Sequence, residues 1–230
     1  MIYLLQHTAA LGLLVAILWL PGIGLERSWA SAGARLRPLT QLVFGIGFWI
    51  VSLFFLATCQ GLRPWVLGLV IAAVIGGSAV TWVRSMDGPV PRWPQLSAPV
   101  VARLGLLAAV LAPFFFLALS PPVSWDASAY HLRLARLYAE HGGFREAPFN
   151  VYSYWPLNVQ LLFAMVITLH DYVLAKLLHF AFGVATLYAL FLGGRTYHRP
   201  ASGFLACLFF LANGVVAYEL RVAYVDLAYA

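Results

Sequence analysis

Two aspartates, Asp126 and Asp226, are the residues of this chain best placed for acid–base chemistry. A carboxylate within hydrogen-bond reach of a hydroxyl or amine can take its proton as that group attacks, provided a structured element holds the acid in place. Each stands in a polar interval between apolar runs: Asp126 near the start of SWDASAYHLRLARLYAEHGG, and Asp226 at the end of YELRVAYVD. Asp126 also suits a plainer role, because Ser124 or Asp126 before a helical run can cap it, and a carboxylate there favours the helix macrodipole. Spacing does not choose between the two. Tyr130, His131 and Arg221 stand close to these acids in sequence, while Lys176 and His179 are three apart on one helical face near the end of an apolar run. Ionisable groups within a span are functional candidates. Their plainer roles are open as well: Lys176 can snorkel, His179 can bond between helices, and Arg221 can pair with Asp226.

The elements that must position these residues are set by composition. With 63% hydrophobic and 10% charged residues, and a mean hydropathy of +0.86, the chain belongs in a bilayer. Its net charge of +6 is scattered in ones and twos at the ends of apolar runs, which reads as topology rather than as a nucleic-acid surface. Cys59 and Cys207 lie in apolar runs and form no CxxC, and His131, His141, His170 and His198 form no HExxH or other recognisable metal spacing. Tyr152, Tyr154 and Trp155 suit an interfacial aromatic belt or a sugar-stacking platform. No Gly-rich phosphate loop, GxSxG motif or fixed-period repeat is present.

Apolar runs predict spans over about Tyr3–Leu25, Leu39–Thr58, Trp65–Val83 and Val100–Leu119, each near the ~20 residues that cross a bilayer core. The short 60–64 connection predicts a tight antiparallel pair, and the proline-rich segment after Arg84 a loop. The interval Ser120–Asn158 holds Asp126, Glu140 and Glu146 and is too polar to cross lipid. Within it, Asp126–His141 predicts a surface helix. Ala127, Tyr130, Leu134, Leu137 and Tyr138 share one face, Arg133, Arg136 and Glu140 the other, and Gly142–Gly143 end it. Pro156–Leu169, at roughly 21 Å as a helix, is too short to span and predicts a re-entrant or interfacial segment. Tyr172–Leu192 and about Ala201–Ala217 complete the predicted spans. The sequence stops as another apolar run begins, which predicts the N-terminal part of a longer protein.

If the short segment does not cross, Arg27, Arg35, Arg37, Arg84, Arg92, Arg195 and Arg199 all fall on one side, which the positive-inside rule makes cytoplasmic. Asp126 and Asp226 then share the opposite, outward side. Counting that segment as a span would instead separate them.

The strings WDASAYHLRLARLYAEHG, YSYWPLNVQLLFA, DYVLAKLLHF, GRTYHRP and AYVDLAYA resemble the N-terminal half of GT-C-fold glycosyltransferases. This polyprenyl-phosphate-dependent superfamily includes protein O-mannosyltransferases and lipid A aminoarabinose transferases. The likeness runs from about Pro121 to the end, and its most specific part is Asp-x-x-x-Tyr-His, here Asp126, Tyr130 and His131. It implies an all-α polytopic bundle in which 120–230 is the first part of a GT-C-like catalytic module; the four leading spans read from the apolar runs (1–119) are more than the single span usual in the best-known members. It also implies inverting transfer of a sugar from a polyprenyl phosphate carrier to a lipid, glycan or protein acceptor, at the outer face of a bacterial inner membrane. In the family an acidic residue opens the first outward loop and another often stands in the next, so the resemblance places Asp126 as base and Asp226 as its acidic companion. Tyr130 and His131 join the substrate-binding set through the shared pattern. Lys176, His179 and Arg221 are the candidates to face the phosphate, because a leaving phosphate needs cations or hydrogen-bond donors. No cofactor is certain, and a divalent cation is compatible with such a donor. Asp126 is followed by Ala127, where protein O-mannosyltransferases carry a second acid. A transporter or lipid-carrier flippase is the competing class, and it would need ionisable residues deep in broken spans.

Overall fold

The computed structural model describes residues 1–29, 37–83, 97–155, 157–197 and 200–230. It is an all-helical bundle with no strand among the described residues: α1 (Ile2–Trp29), α2 (Arg37–Thr58), α3 (Pro64–Val83), α4 (Ala98–Ala118), α5 (Leu132–His141), α6 (Asn158–Leu169), α7 (Tyr172–Tyr197), α8 (Pro200–Ala212), α9 (Gly214–Glu219) and α10 (Asp226–Tyr229). Four helices, within α1, α2, α4 and α7, are long and apolar enough to cross a membrane. Of the expected basic side, Arg35, Arg84, Arg92 and Arg199 fall outside the described residues, as do His198 and most of the proline-rich loop.

Where apolar helices meet in lipid, close backbone approach and local polar bonds must replace the hydrophobic effect. The antiparallel α1–α2 pair shows both devices. A Cβ on Gly22 would sit 1.7 Å from the Gln41 carbonyl oxygen, and one on Gly45 1.9 Å from that of Leu18, so the two backbones touch where no larger residue fits. Pro21 lies inside α1 and has no N–H to offer the carbonyl of Ile17 four residues earlier. The buried Trp49 indole of α2 donates to that oxygen instead, at 2.9 Å.

One end of the bundle gathers most of the polar chain. The Tyr3 hydroxyl of α1 donates to Leu119 O just past α4, at 2.9 Å, and Lys176 of α7 reaches the same α4 terminus. The polar interval therefore leaves and re-enters the bundle at one rim, so α6, with 12 residues, does not carry the chain across. At that rim the α2–α3 turn is tied to the turn after α5: Leu62 N–H donates to Gly142 O at 2.7 Å and Phe144 N–H to Ala57 O at 3.0 Å. Gly142 closes α5 at φ +79°, a left-handed conformation that favours glycine. The expected amphipathic helix is present: Ala127, Leu134 and Tyr138 are buried while Arg133, Arg136 and Glu140 are exposed.

Two expectations need correcting. Helical backbone starts at Trp125, passes through a π-helical turn at Ala127–His131, and only then becomes α5. The apolar run from 201 to 217 is not one helix but α8 and α9, broken at Asn213, whose side chain accepts the Val215 N–H at 2.9 Å and so restarts the helix.

Candidate functional site

The π-turn sets the orientation of the first acid. An i→i+5 turn inserts an extra residue and re-aims the side chains around it. Asp126 precedes this turn with helical backbone (φ −62°, ψ −39°), and its side chain makes no capping bond, so the helix-cap role is excluded. Its neighbour Ser124 has a buried hydroxyl with no hydrogen-bond partner. Within the π-turn, Tyr130 stacks on Tyr152 with ring centroids 4.0 Å apart and planes at 18°, and its other neighbour is the His131 ring at 4.1 Å. Tyr152 therefore packs within the polar loop, while Tyr154 and Trp155 are exposed.

The second acid arrives through α7. His179 is fully buried; its Nδ1 donates to Val222 O at 2.8 Å and its Nε2 accepts the Leu227 N–H at 3.4 Å. Both nitrogens are thus used to hold the 222–227 segment, and the exposed Asp226 at the start of α10 is positioned by that grip. His179 has no nitrogen left for a phosphate. Arg221 does not pair with Asp226; its guanidinium lies 5.1 Å from the Tyr218 ring centroid.

Asp126 and Asp226 converge electrostatically on the same neighbours. Burial and then the charges of Asp126, Tyr152, Asp226 and Glu219 push the Tyr130 phenol up to about 12. His131 is pushed down to about 4 by burial, which outweighs the pull of Asp226 and Asp126 toward the charged form. Gln160 Nε2, a donor only, meets His131 Nδ1 at 2.9 Å, so the neutral ring carries its proton on Nε2. Tyr224, 5.5 Å from the His131 ring, is raised by burial, by its bond to Tyr218 and by the charge of Asp126.

A third acid belongs to this group and was not singled out from the sequence. Glu219 is 6% exposed, its Oε2 has no hydrogen-bond partner, and the nearest basic nitrogen is His179 Nε2 at 3.9 Å. Burial first, then the negative charges of Asp226 and Asp126, raise its carboxyl to about 7. The sequence signal was slight: an acid seven residues before Asp226 in the same turn.

Beside the acids, a pocket of about 360 Å³ is lined by Ser120, Ser124, Lys176, Tyr218 and Arg221, among others. Lys176 is buried and spends its three donors on Leu117 O, Ser120 O and Ser120 Oγ, each at 2.9 Å. It thereby closes the end of α4, whose carbonyls lack helical partners. The exposed Arg221 is the charged group of this pocket left to meet a ligand. A larger open cleft of about 1190 Å³ runs between α5 and residues 146–152 and includes Arg133, Arg136, Glu140 and Tyr172.

A further cluster joins His7, His170 and Asp171, the one group of three metal-capable side chains among the described residues. His170, which formed no metal pattern by spacing, meets its partner from 163 residues away. The cluster contains neither Asp126 nor Asp226. No family model matches this chain, and no curated protein or solved structure is significantly similar to it.

Proposed function

We propose that the protein is a membrane glycosyltransferase that moves a sugar from a polyprenyl phosphate to an acceptor hydroxyl or amine, with Asp126 as general base. The observation that carries this reading is the convergence of Asp126, Asp226 and Glu219 on Tyr130, with Asp126 and Asp226 also acting on His131, next to a pocket lined by Lys176 and Arg221. The acceptor proton passes to the Asp126 carboxylate, the acceptor atom bonds to the anomeric carbon from the face opposite the phosphate, and the carbon–oxygen bond to the phosphate breaks. Polyprenyl phosphate leaves, and the anomeric centre inverts. Arg221 is suited to the leaving phosphate, while Lys176 holds the α4 end and adds positive charge without donating a free N–H. Glu219, with a carboxyl raised to about 7, stands as a protonated donor beside two carboxylates below neutrality. Burial raises that carboxyl first and the charge of Asp226 adds to it, while Asp226, being exposed, is open to the acceptor. The site faces the non-cytoplasmic side of a bacterial inner membrane, and the 120–230 module works with four leading spans.

The test is transfer of labelled sugar from polyprenyl phosphate donors by the whole protein in vesicles. Asp126→Asn should lower the rate by about 10²–10⁴-fold. Equal transfer by wild type and variant would remove Asp126 from the reaction. The break between α8 and α9 favours a second reading, a flippase for the same carrier, since interrupted helices line transport sites. Carrier crossing the vesicle membrane without any sugar transfer would select it.

A further inference from the structure

We infer that His7, His170 and Asp171 form a binding site for a divalent transition-metal ion of the zinc class, which clips the start of α1 to the start of α7. The site is independent of the transfer reaction proposed above. His7 lies in the second turn of α1 and is 4% exposed. Its Nδ1 donates to the Tyr3 carbonyl at 3.0 Å, which leaves Nε2 as the ring nitrogen that faces the cluster. This is the arrangement of a metal-binding histidine, whose distal N–H is fixed by a carbonyl or carboxylate. That Nε2 lies 2.9 Å from Asp171 Oδ2.

Asp171 is committed on its other side. Its Oδ1 accepts the Leu174 N–H at 2.8 Å and so caps α7, which leaves Oδ2 to face the two histidines. Nδ1 of His170 approaches that same oxygen at 3.1 Å. Three ligand atoms thus lie within 4.8 Å of one another, from two helices that meet only in the folded chain. Without a metal, a proton on His7 Nε2 bridges to the carboxylate oxygen, and a metal ion would take the place of that proton. A tetrahedral ion with bonds of about 2.1 Å holds its ligand atoms roughly 3.4 Å apart, so each histidine's contact with Asp171 Oδ2 would widen by a few tenths of an ångström on binding. Two imidazoles and one carboxylate suit zinc and its neighbours, whereas magnesium and calcium prefer oxygen ligands. The His170 and Asp171 side chains are 34% and 38% exposed, so a fourth position opens to water.

The test uses the whole protein in detergent, without a histidine tag, stripped with chelator and titrated with zinc alone. About one zinc per chain is expected by elemental analysis, with a rise in unfolding temperature on binding. His170→Ala, which leaves the Asp171 cap intact, should weaken binding about 10–100-fold and abolish the thermal shift. His141→Ala, at an exposed histidine outside the cluster, should change neither. Three results would each overturn the site: stoichiometry near zero in the wild type, equal binding by wild type and His170→Ala (an adventitious ion only), or a thermal shift that survives His170→Ala.

Discussion

Helices α4 and α7 are both apolar and long enough to cross a membrane, yet 61% of the most apolar stretch of α7 is buried inside the protein against 11% of that of α4. The polar groups follow that difference. Within α7, Lys176 and His179 are shielded from lipid and reach carbonyls on other segments; α4 offers mainly alkyl and aromatic surface outward and contributes its C-terminal carbonyls to the lysine. In a medium that cannot hydrogen-bond, a cation or imidazole is tolerable only where protein supplies every partner. A helix surrounded by its own chain can therefore carry the groups that organise a site, and a lipid-facing one cannot.

The largest effect that would sharpen this contrast is at Lys176. Lys176→Met removes the bonds to Ser120 O and Ser120 Oγ, and one of several to Leu117 O, and should cost about 2–4 kcal/mol, measured as unfolding in detergent. In α4, Val101→Ala, at a position 52% exposed, should stay within about 0.5 kcal/mol. Similar losses at both positions would break the comparison. Next comes the α1–α2 seam. Gly45→Val collides with the Leu18 carbonyl and should cost roughly 1–3 kcal/mol, whereas a Cβ on Gly47 meets nothing within 4 Å. Gly47→Val as damaging as Gly45→Val would refute the close approach.

Two pH effects of opposite sign follow at the rim. The folded pKa of Glu219, about 7, lies above its ordinary 4.5. Its stabilising contribution is therefore full below pH 4.5 and is lost as pH rises through 7, and Glu219→Gln should flatten that decline. His131 is lowered from 6.5 to about 4. Its contribution is present above pH 6.5 and lost as pH falls toward 4, a limb that His131→Asn should flatten. Each change is on the order of 1–3 kcal/mol across its window, and unfolding temperature against pH reads both. The smallest effect is at the exposed Arg136–Glu140 pair on α5: Arg136→Ala should leave the unfolding temperature almost unchanged, and any difference should shrink in high salt.

Much of the architecture could be read before any contact was known. Lipid accepts only helices whose backbone bonds are internal, so apolar run length alone gave the long spans, and polar content alone kept Ser120–Asn158 out of the bilayer. The alternation of Ala127, Leu134 and Tyr138 with Arg133, Arg136 and Glu140 likewise fixed which face of the surface helix is buried. What failed was local. Asp126 fits a cap by type, but the π-turn after it depends on packing that no propensity encodes, and the break at Asn213 is a single Asn-Gly inside an apolar run.

The chain's own order of residues therefore determined that it is a helical membrane bundle, which of its intervals are polar, and that Asp126 and Asp226 stand in two such intervals. Only the tertiary structure decided that Glu219 joins them, that His179 is a strut for the 222–227 segment, and that His7 meets Asp171 across 164 residues. The physical reason is range: hydropathy and helical period act within one segment, whereas a pKa or a ligand set depends on charges and lone pairs brought together from segments far apart in the chain.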